Sequence, residues 1–335
     1  MQIIVGVNNI SRRDWTEFIL NHPDGNIFQT PEMYDLYSET ALQEPVVLFA
    51  VKDNCIHGIL LAVIQKEFKG LLGELSSRSI IWGGPLVNHS NAAKALLYEY
   101  DEIIEREAIY SQFRNIFPAD NLKKSFKNLG FALHDHLNII IDLSKGESVL
   151  WDEIHKNRKK EIKNGIKKGL VVSQIDVYKL NNLYEIYMLI KKLYTNIGLP
   201  IPSYSFFQNA ISILGPKGYL KTFVAKVDNK IVALRIVLTY KDLIYDWYAA
   251  SDEEYLAYRP NDILPWEILK WGYNNGYKRF DFGGAGEPNT PYGVRDYKLK
   301  FGGDLVNFGR FEKIHKPILF RLGKIGIKLL SFIKV

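Results

Sequence analysis

The chain has a single cysteine, Cys55, among its 335 residues. One thiol excludes an internal disulfide and any metal site built from several cysteines. Because Cys55 lies in an apolar run with strand composition, we expect it to be a buried structural thiol. The seven histidines show no metal-ligand spacing, the closest pair being His134 and His136, so we expect no metal.

Long hydrophobic segments are also missing. No apolar run approaches the length of about 20 residues that a helix needs to span a bilayer. The first residues, MQIIVGVNN, have neither the basic start nor the apolar centre of a signal peptide. We therefore expect a cytoplasmic protein. Peripheral association with the inner membrane face is the one kind of membrane contact that this sequence allows.

The charge excess is small. A net charge of +6 and a pI near 9.0 do not indicate a dedicated nucleic-acid binder, but they permit phosphate-bearing partners. The hydrophobic fraction of 47% and the charged fraction of 24% are ordinary for a globular chain of about two domains.

A repeated element order predicts the fold. A pair of helices, a hairpin, a strand, a helix and a strand occur twice, with hairpin turns at Asp53-Asn54 and Asp228-Asn229-Lys230. The predicted fold class is α/β (α+β), with two domains that each have a mixed sheet flanked by helices. We place the domains at residues 1–145 and 146–313, followed by a basic tail at 314–335.

The most informative segment runs from Tyr245 to Gly303. A strand (Leu243–Ala250) leads through Arg259-Pro260-Asn261 into a helix (Asp262–Asn275), and a short strand then ends in Asp281-Phe282-Gly283-Gly284. The order and spacing of these pieces resemble the FemABX family of bacterial cell-wall transferases. Other matching pieces are Trp247-Tyr248-Ala249-Ala250-Ser251, Trp266 and Trp271, Lys298-x-x-Phe301-Gly302-Gly303, and, in the first half, Phe28-Gln29, Gly83-Gly84-Pro85, Phe113-Arg114-Asn115 and Phe117-Pro118.

The resemblance implies two tandem acetyltransferase-like (GNAT) domains and names candidate catalytic residues. Lys298 matches a lysine that stabilises the oxyanion formed when an amine attacks an acyl ester, although Lys300 could take that role. Asp281, at a strand end, could orient the acceptor amine or accept its proton, or could simply cap backbone N–H groups of the following loop. Tyr248 would line the acceptor pocket, with a core tyrosine as the alternative.

Four further residues are candidates for binding a phosphate or carboxylate group of the substrate: Arg259, Asn261, Arg295 and, in the first domain, Arg114. Arginine suits this role because its planar group donates hydrogen bonds in pairs. The alternative is that these arginines are solvated loop residues.

A strongly basic helix is predicted over Leu150–Lys168. Its candidate anion-binding residues are Lys159, Lys160 and Lys163, which could contact the phosphates of a tRNA or an anionic lipid headgroup. A solvated basic face is the alternative.

The sequence departs from related proteins in two ways. The Arg259-Pro260-Asn261-Asp262 loop has none of the glycines with which GNAT domains bind the pyrophosphate of acetyl-CoA, so use of CoA is disfavoured. The segments Met33–Tyr37 and Gly198–Pro202 lack the basic residues with which family members bind a UDP-linked muropeptide. The acceptor is therefore expected to differ from that nucleotide-linked peptide.

We predict an acyl- or aminoacyltransferase that uses aminoacyl-tRNA or acyl-CoA as a co-substrate and needs no resident cofactor. Its acceptor would be an amine on a cell-envelope precursor, including a lipid-linked one. The alternatives are an acyl-CoA-dependent N-acyltransferase of a surface-polysaccharide amino sugar and a non-catalytic module that binds RNA or membrane.

The basic tail, residues 314–335, is predicted to form an amphipathic helix. On a helix, Ile318, Leu322, Ile325, Leu329 and Ile333 would form one apolar stripe, with Arg321, Lys324 and Lys328 beside and opposite it. Such a helix can lie in an anionic membrane interface, and packing on the second domain is the alternative.

Overall fold

A computed structural model describes residues 1–176 and 183–323. The chain forms two compact units. Unit 1 contains residues 1–135 and the segment that begins at Phe308, and unit 2 contains His136–Asn307. Each has its own mixed sheet flanked by helices, which confirms the predicted fold class.

Unit 1 is built on the sheet order β1-β2-β3-β4-β6-β15-β7, with β5 paired to β3. The strands are β1 (Gln2–Val5), β2 (Gln43–Lys52), β3 (Cys55–Gln65), β4 (Arg78–Trp82), β5 (Leu86–Val87), β6 (Tyr110–Arg114), β7 (Ala132–His134) and β15 (Arg310–Ile314). The helices are α1 (Arg12–Asn21), α2 (Pro31–Ser38), α3 (Leu71–Glu74), α4 (Ser90–Glu107) and α5 (Lys123–Asn128).

Helix starts in unit 1 follow the capping residues of the sequence. The Ser11 side chain accepts from the backbone N–H groups of Arg13 and Asp14 at the start of α1. Thr30 caps α2, and Pro31 occupies its first turn, where no N–H is needed. Helix α4 packs its buried face, including Leu96, against the central strands.

Unit 2 has the sheet order β14-β8-β13-β12-β11-β10-β9. Its strands are β8 (Leu137–Asp142), β9 (Val171–Ile175), β10 (Leu220–Val227), β11 (Lys230–Tyr240), β12 (Leu243–Ser251), β13 (Arg279–Gly284) and β14 (Asp304–Asn307). Its helices are α6 (Glu147–Glu153), α7 (Lys156–Lys167), α8 (Leu183–Asn196), α9 (Tyr204–Leu214), α10 (Pro260–Asn274) and α11 (Gly293–Leu299).

Both predicted hairpins form, as β2–β3 and β10–β11. The prediction of one helix over Leu150–Lys168 is wrong, because the segment contains α6 and α7 with a break between them. Ile154 has extended backbone angles, and the His155 side chain accepts from the Asn157 N–H to start α7 as a new helix.

The two units divide the chain differently from the predicted boundaries at 145 and 313. Strand β8 pairs with β13 and β14, so it belongs to the sheet of unit 2 although it precedes residue 145. Strand β15 lies between β6 and β7 and therefore belongs to unit 1. Unit 1 thus consists of two separate stretches of sequence.

Two other expectations can be compared with the structure. Cys55 is exposed, so the prediction of a buried thiol is wrong: it starts β3 directly after the hairpin turn, paired with Lys52 at the end of the hairpin. In the tail, residues 317–323 are helical, and Ile318 and Leu322 are 75% and 58% exposed. The rest of the predicted stripe, Ile325, Leu329 and Ile333 with Lys324 and Lys328, lies outside the described residues.

Candidate active site

The sheet of unit 2 splits between its two central strands. Strands β12 and β13 are parallel, and their pairing runs only from Leu243↔Arg279 to Tyr245↔Asp281. Beyond that point β12 continues to Ser251 with a bulge at Trp247, and β13 pairs only with β8, with a shift of register after Asp281. Because backbone groups in such a split have lost their ladder partners, other donors and acceptors must approach them there.

Asp281 is the last residue of β13 that pairs with β12, and it is fully buried. One carboxylate oxygen accepts from the Gly283 N–H at 2.7 Å, and both accept from the Asn138 side-chain amide at 3.1–3.2 Å. Burial raises the pKa of Asp281 to about 6, with these hydrogen bonds and Lys298 acting in the opposite direction. These contacts match the capping alternative: Asp281 holds the turn in which Gly283 has a φ of +70°.

Lys298 lies on α11 and points to the same turn. Its Nζ donates to the carbonyl oxygens of Phe282 at 2.7 Å and Gly284 at 2.9 Å. Since an ammonium group has three donors, one N–H is left for another oxygen. Burial lowers the pKa of Lys298, while Asp246 and Asp281 work against that shift. Lys300, the alternative, is exposed.

A buried ionic group extends the site along β11 and β12. Arg235 is 5% exposed and forms an ion pair with Asp246 on the neighbouring strand. Its other guanidinium nitrogen donates to the hydroxyl of Tyr297 on α11 at 3.1 Å. Burial opposes the charge of Arg235, but Asp246 and Tyr297 outweigh it and keep its pKa above the usual value.

Pro265 explains why Tyr297 reaches α10. A proline inside a helix lacks the N–H that would bond to the carbonyl four residues earlier, which here belongs to Asn261. The Tyr297 hydroxyl donates to that free carbonyl. Proline, tyrosine and arginine thereby connect α10, α11 and β11 around the split in the sheet.

Helix α7 covers the N-terminus of α10 with one of its faces. Arg158 pairs with Asp262, Glu161 pairs with Arg259 at 2.7 Å, and Lys168 donates to the Ala257 carbonyl at 2.8 Å. Between them lies Gly165, where a Cβ atom would be 2.4 Å from Ile263 Cδ1. Only glycine permits this approach, so atoms of α7 occupy the space beside the N-terminus of α10.

The other predicted substrate-binding residues of unit 2 make contacts within the protein. Arg295 donates to the carbonyls of Glu287 and Thr290 at 2.6 Å and so braces the loop after β13. The Asn261 side chain donates to Ser251 Oγ at 3.0 Å. Tyr248 is half-buried, and its ring lies 5.0 Å from that of Phe207 between centroids. Binding roles for these residues and for Arg259 remain predictions.

Among the described residues of unit 1, the parallel strands do not split. Its parallel pair β4–β6 is bonded along the full length of both strands, from Arg78↔Tyr110 to Trp82↔Arg114. The buried Gln29 side chain closes the space between β3 and β4 through the Leu61 backbone and the Trp82 carbonyl. Arg114 stacks over the Trp82 ring at 4.7 Å within unit 1, and its substrate-binding role remains a prediction.

The three lysines predicted to bind anions lie on a different face of α7 from the one that packs on α10. Lys160 and Lys163 are exposed, and the Lys159 ammonium donates to the Asp152 carbonyl at 3.1 Å. Both Lys159 and Lys163 also approach the Trp151 ring, at 5.9 and 5.7 Å. The helix therefore has one face that packs on α10 and one that presents positive charge to solvent.

Within residues 1–176 and 183–323, no three His, Cys, Asp or Glu side chains are grouped so that they could hold a metal ion. No helix in the same ranges has both the length and the apolar character needed to cross a bilayer.

Comparisons with known proteins agree with the fold. A family described as "Acetyltransferase (GNAT) domain" matches residues 156–299, which lie in unit 2. The crystal structure of FemX superposes with a TM-score of 0.74 at 17% identity, over 96% of this chain and 99% of that one. The chain is FemABX-like.

Two curated proteins are similar to this FemABX-like chain. One is a UDP-N-acetylmuramoylpentapeptide-lysine N(6)-alanyltransferase of Weissella viridescens, 22% identical over 194 residues, a match that spans 56% of each chain. The other is a lipid II:glycine glycyltransferase of Staphylococcus haemolyticus (strain JCSC1435), 20% identical over 94% of both chains. The predicted transferase class is supported by both.

Sequence reasoning missed the buried ionic residues Arg235, Asp246 and Tyr297 together with the Arg158–Asp262 pair. A signal was present for two of them. Arg235 and Asp246 each interrupt an otherwise apolar strand, and a charge in a buried strand needs a charged partner. The pair could have been found by aligning β11 and β12 as a hairpin.

Proposed function

We propose that this FemABX-like protein is an aminoacyltransferase that joins an aminoacyl group to an amine on a cell-envelope precursor. The observation that carries the proposal is the position of the Lys298 ammonium, which is fixed by two carbonyls in the split of the sheet and keeps one donor. The names of both curated relatives, which describe transfer of alanine and glycine to peptidoglycan precursors, support the acceptor class.

The chemistry requires little from the protein besides positioning and charge. The acceptor amine forms the new C–N bond, the carbonyl electrons move to oxygen, and collapse of the adduct expels the ribose oxygen of the donor. The proton lost by the amine is transferred to that leaving oxygen. A hydrogen-bond donor that the protein already holds in position stabilises the oxyanion without reorganisation. Such a group is worth roughly 10²–10³-fold in rate.

We further propose aminoacyl-tRNA as the donor and not acyl-CoA. Helix α7 packs against the N-terminus of α10 through Gly165, Glu161 and Arg158, and this packing disfavours binding of a CoA pyrophosphate at that helix end. The exposed lysines Lys160 and Lys163 on the opposite face of α7 offer positive charge to tRNA phosphates.

The test combines purified full-length protein with charged tRNAs, acyl-CoAs, and nucleotide- and lipid-linked muropeptides, and detects products by mass spectrometry. We expect transfer from a charged tRNA, a fall of roughly 10²–10³-fold in Lys298→Ala, and near-normal rates in Lys300→Ala. The proposal would be contradicted if none of the donor classes gave product, or if Lys298→Ala and Lys300→Ala had equal rates. Transfer from acyl-CoA, with stabilisation by CoA, would favour the N-acyltransferase alternative.

Binding of tRNA is tested separately from catalysis. The double variant Lys160→Glu/Lys163→Glu is expected to weaken tRNA binding and to flatten its dependence on salt. Lys124→Glu/Lys127→Glu on α5 makes the same change of charge at exposed positions of unit 1 and serves as the control. Equal weakening in both variants would assign the effect to net charge and not to α7.

Contact with an anionic membrane through the basic tail remains part of the proposal. Ile318 and Leu322 are exposed, as an interfacial stripe requires. Truncation after Lys313 is expected to reduce vesicle binding in low salt, and equal binding by the full-length and truncated proteins would reject the tail as an anchor.

A further inference from the structure

Within the described residues, the Asp246 carboxylate uses only one of its two oxygens. The Oδ2 atom pairs with Arg235, whereas Oδ1 has no hydrogen-bond partner in residues 1–176 and 183–323. The Asp246 side chain is 7% exposed, and Arg235 is buried with it. Because a buried carboxylate oxygen without a donor costs free energy, a donor from outside the described chain is expected to bond to Oδ1.

Asp246 lies at the split in the sheet of unit 2, beside the turn that holds Lys298. It directly follows Tyr245, the last residue of β12 that pairs with β13. The Lys298 ammonium bonds to the two carbonyls on either side of Gly283, and a Cβ atom on that glycine would lie 3.7 Å from the Asp246 carbonyl oxygen. Burial has the largest effect on the pKa of Lys298 and lowers it, and the Asp246 charge opposes this more strongly than the Asp281 charge does. Asp246 is therefore a near neighbour of the proposed catalytic ammonium.

The remaining donor of Lys298 and the remaining acceptor of Asp246 match the two polar groups of an aminoacyl ester. Lys298 keeps one N–H for the carbonyl oxygen of the ester. In an α-aminoacyl group the ammonium is attached to the carbon next to that carbonyl, so its nitrogen and the carbonyl oxygen are about 3 Å apart. An ammonium forms a strong, charge-assisted hydrogen bond with a carboxylate oxygen. The ester can thus place its oxygen at Lys298 and its ammonium toward Asp246.

The charges at the split are balanced and can accommodate one more ammonium. Those that act on Lys298 are the charges of Asp246, Arg235 and Asp281. With Lys298 itself they make two cations and two carboxylates, so an added ammonium meets no excess of positive charge. The acceptor amine fits Asp246 less well, because an amine has to be neutral to attack a carbonyl carbon, whereas a carboxylate binds the charged form best.

We propose that Asp246 binds the α-ammonium group of the aminoacyl donor and thereby selects aminoacyl donors over plain acyl donors. The proposal rests on the proposed transfer reaction, from which it takes the position of the carbonyl oxygen at Lys298. It also gives the buried ion pair a function, since Arg235 holds the carboxylate through Oδ2 and leaves Oδ1 for the substrate. A donor with a hydroxyl in place of the ammonium would offer only an uncharged, weaker hydrogen bond.

The test measures binding without transfer, using two adenosine derivatives that mimic the end of a charged tRNA. One carries L-alanine and the other L-lactate on a stable amide in place of the ester, so they differ only in ammonium against hydroxyl. By titration calorimetry, the full-length parent should bind the alanyl compound about tenfold or more tightly than the lactyl compound. Asp246→Asn should abolish this preference and change the lactyl affinity little. Asp246→Asn/Arg235→Gln, in which neither charge of the pair is left buried alone, should do the same.

Asp242→Asn is the matched control, because it removes a carboxylate that pairs with Arg279 in the same unit and should keep the preference. No preference in the parent, or a parent-like preference in Asp246→Asn, would overturn the proposal. An equal loss of affinity for both compounds would also overturn it, since that result indicates a structural role. A higher KM for the acceptor amine with the donor preference intact would assign Asp246 to the acceptor instead. Absence of transfer product in the parent would count against the proposed function alone, since the preference is measured without transfer.

Discussion

Replacement of Asp281 by asparagine is expected to stabilise the protein at neutral pH. The folded-state pKa of about 6 exceeds the ordinary value of 3.8, so the native state favours the protonated carboxyl. The stability contributed by this group is therefore fully present below pH 3.8 and is lost as the pH rises through 6. A difference of about two pKa units corresponds to about 3 kcal/mol, which is the cost of the buried charge at pH 7.

Asparagine can replace the carboxylate without new space. Its carbonyl can keep the bond from Gly283, and the Asn138 amide can turn to present its oxygen to the new NH₂ group. We expect Asp281→Asn to unfold at higher denaturant concentration at pH 7, with a gain of up to about 3 kcal/mol that shrinks toward pH 4. Asp304→Asn, at an exposed carboxylate, should change stability by less than about 0.5 kcal/mol.

Activity separates a positioning role of Asp281 from a catalytic one. Without the negative charge of Asp281, the pKa of Lys298 should fall further, and the alkaline limb of the pH–rate profile should move to lower pH. Transfer near neutrality should persist. Loss of transfer at every pH in a well-folded Asp281→Asn protein would show that Asp281 accepts a proton. A variant less stable than the parent at pH 7 would refute the reasoning from burial.

Three further changes test the contacts around the site and in unit 1. Gly165→Val should lower the stability of unit 2 by about 1–3 kcal/mol in chemical denaturation, because its side chain would overlap Ile263, and Asn164→Val on the same helix is the control. Tyr297→Phe should cost about 1–2 kcal/mol by leaving the Asn261 carbonyl unbonded, and an unchanged midpoint would contradict this role. Gln29→Leu should lower the melting temperature of unit 1, since buried backbone groups of β3 and β4 lose their partner.

Local patterns predicted much of the fold. Ser11 and Pro31 mark helix starts, and the turns at Asp53 and Asp228 mark hairpins, because each acts through a few neighbouring residues. The position of β15 inside the first sheet could not be read in this way. Its pairing with β6 and β7 depends on residues far away in sequence, and its composition is that of any short strand.

In the candidate site, too, local patterns could be predicted from the sequence, whereas contacts with residues distant in sequence could not. Lys298 and Asp281 could be named as candidates because they lie in a motif whose order and spacing resemble those of the family. Whether Asp281 reacts or only holds the turn depends on the donors that face it, and Asn138 comes from a strand placed beside it by folding. The close packing of α7 on α10 through Gly165 could likewise not be predicted. A glycine within a basic helix only suggests a less stable helix until the element packed against it is known.

The late position of β15 has a consequence for how the protein is made. On the ribosome the chain emerges from its N-terminus, and β6 and β7 are complete long before β15 exists. Both strands must keep an open edge while all of unit 2 is synthesised between them and their partner. Unit 2, a single continuous stretch, can finish folding first. The half of the molecule that begins the chain is thus the half that is completed last.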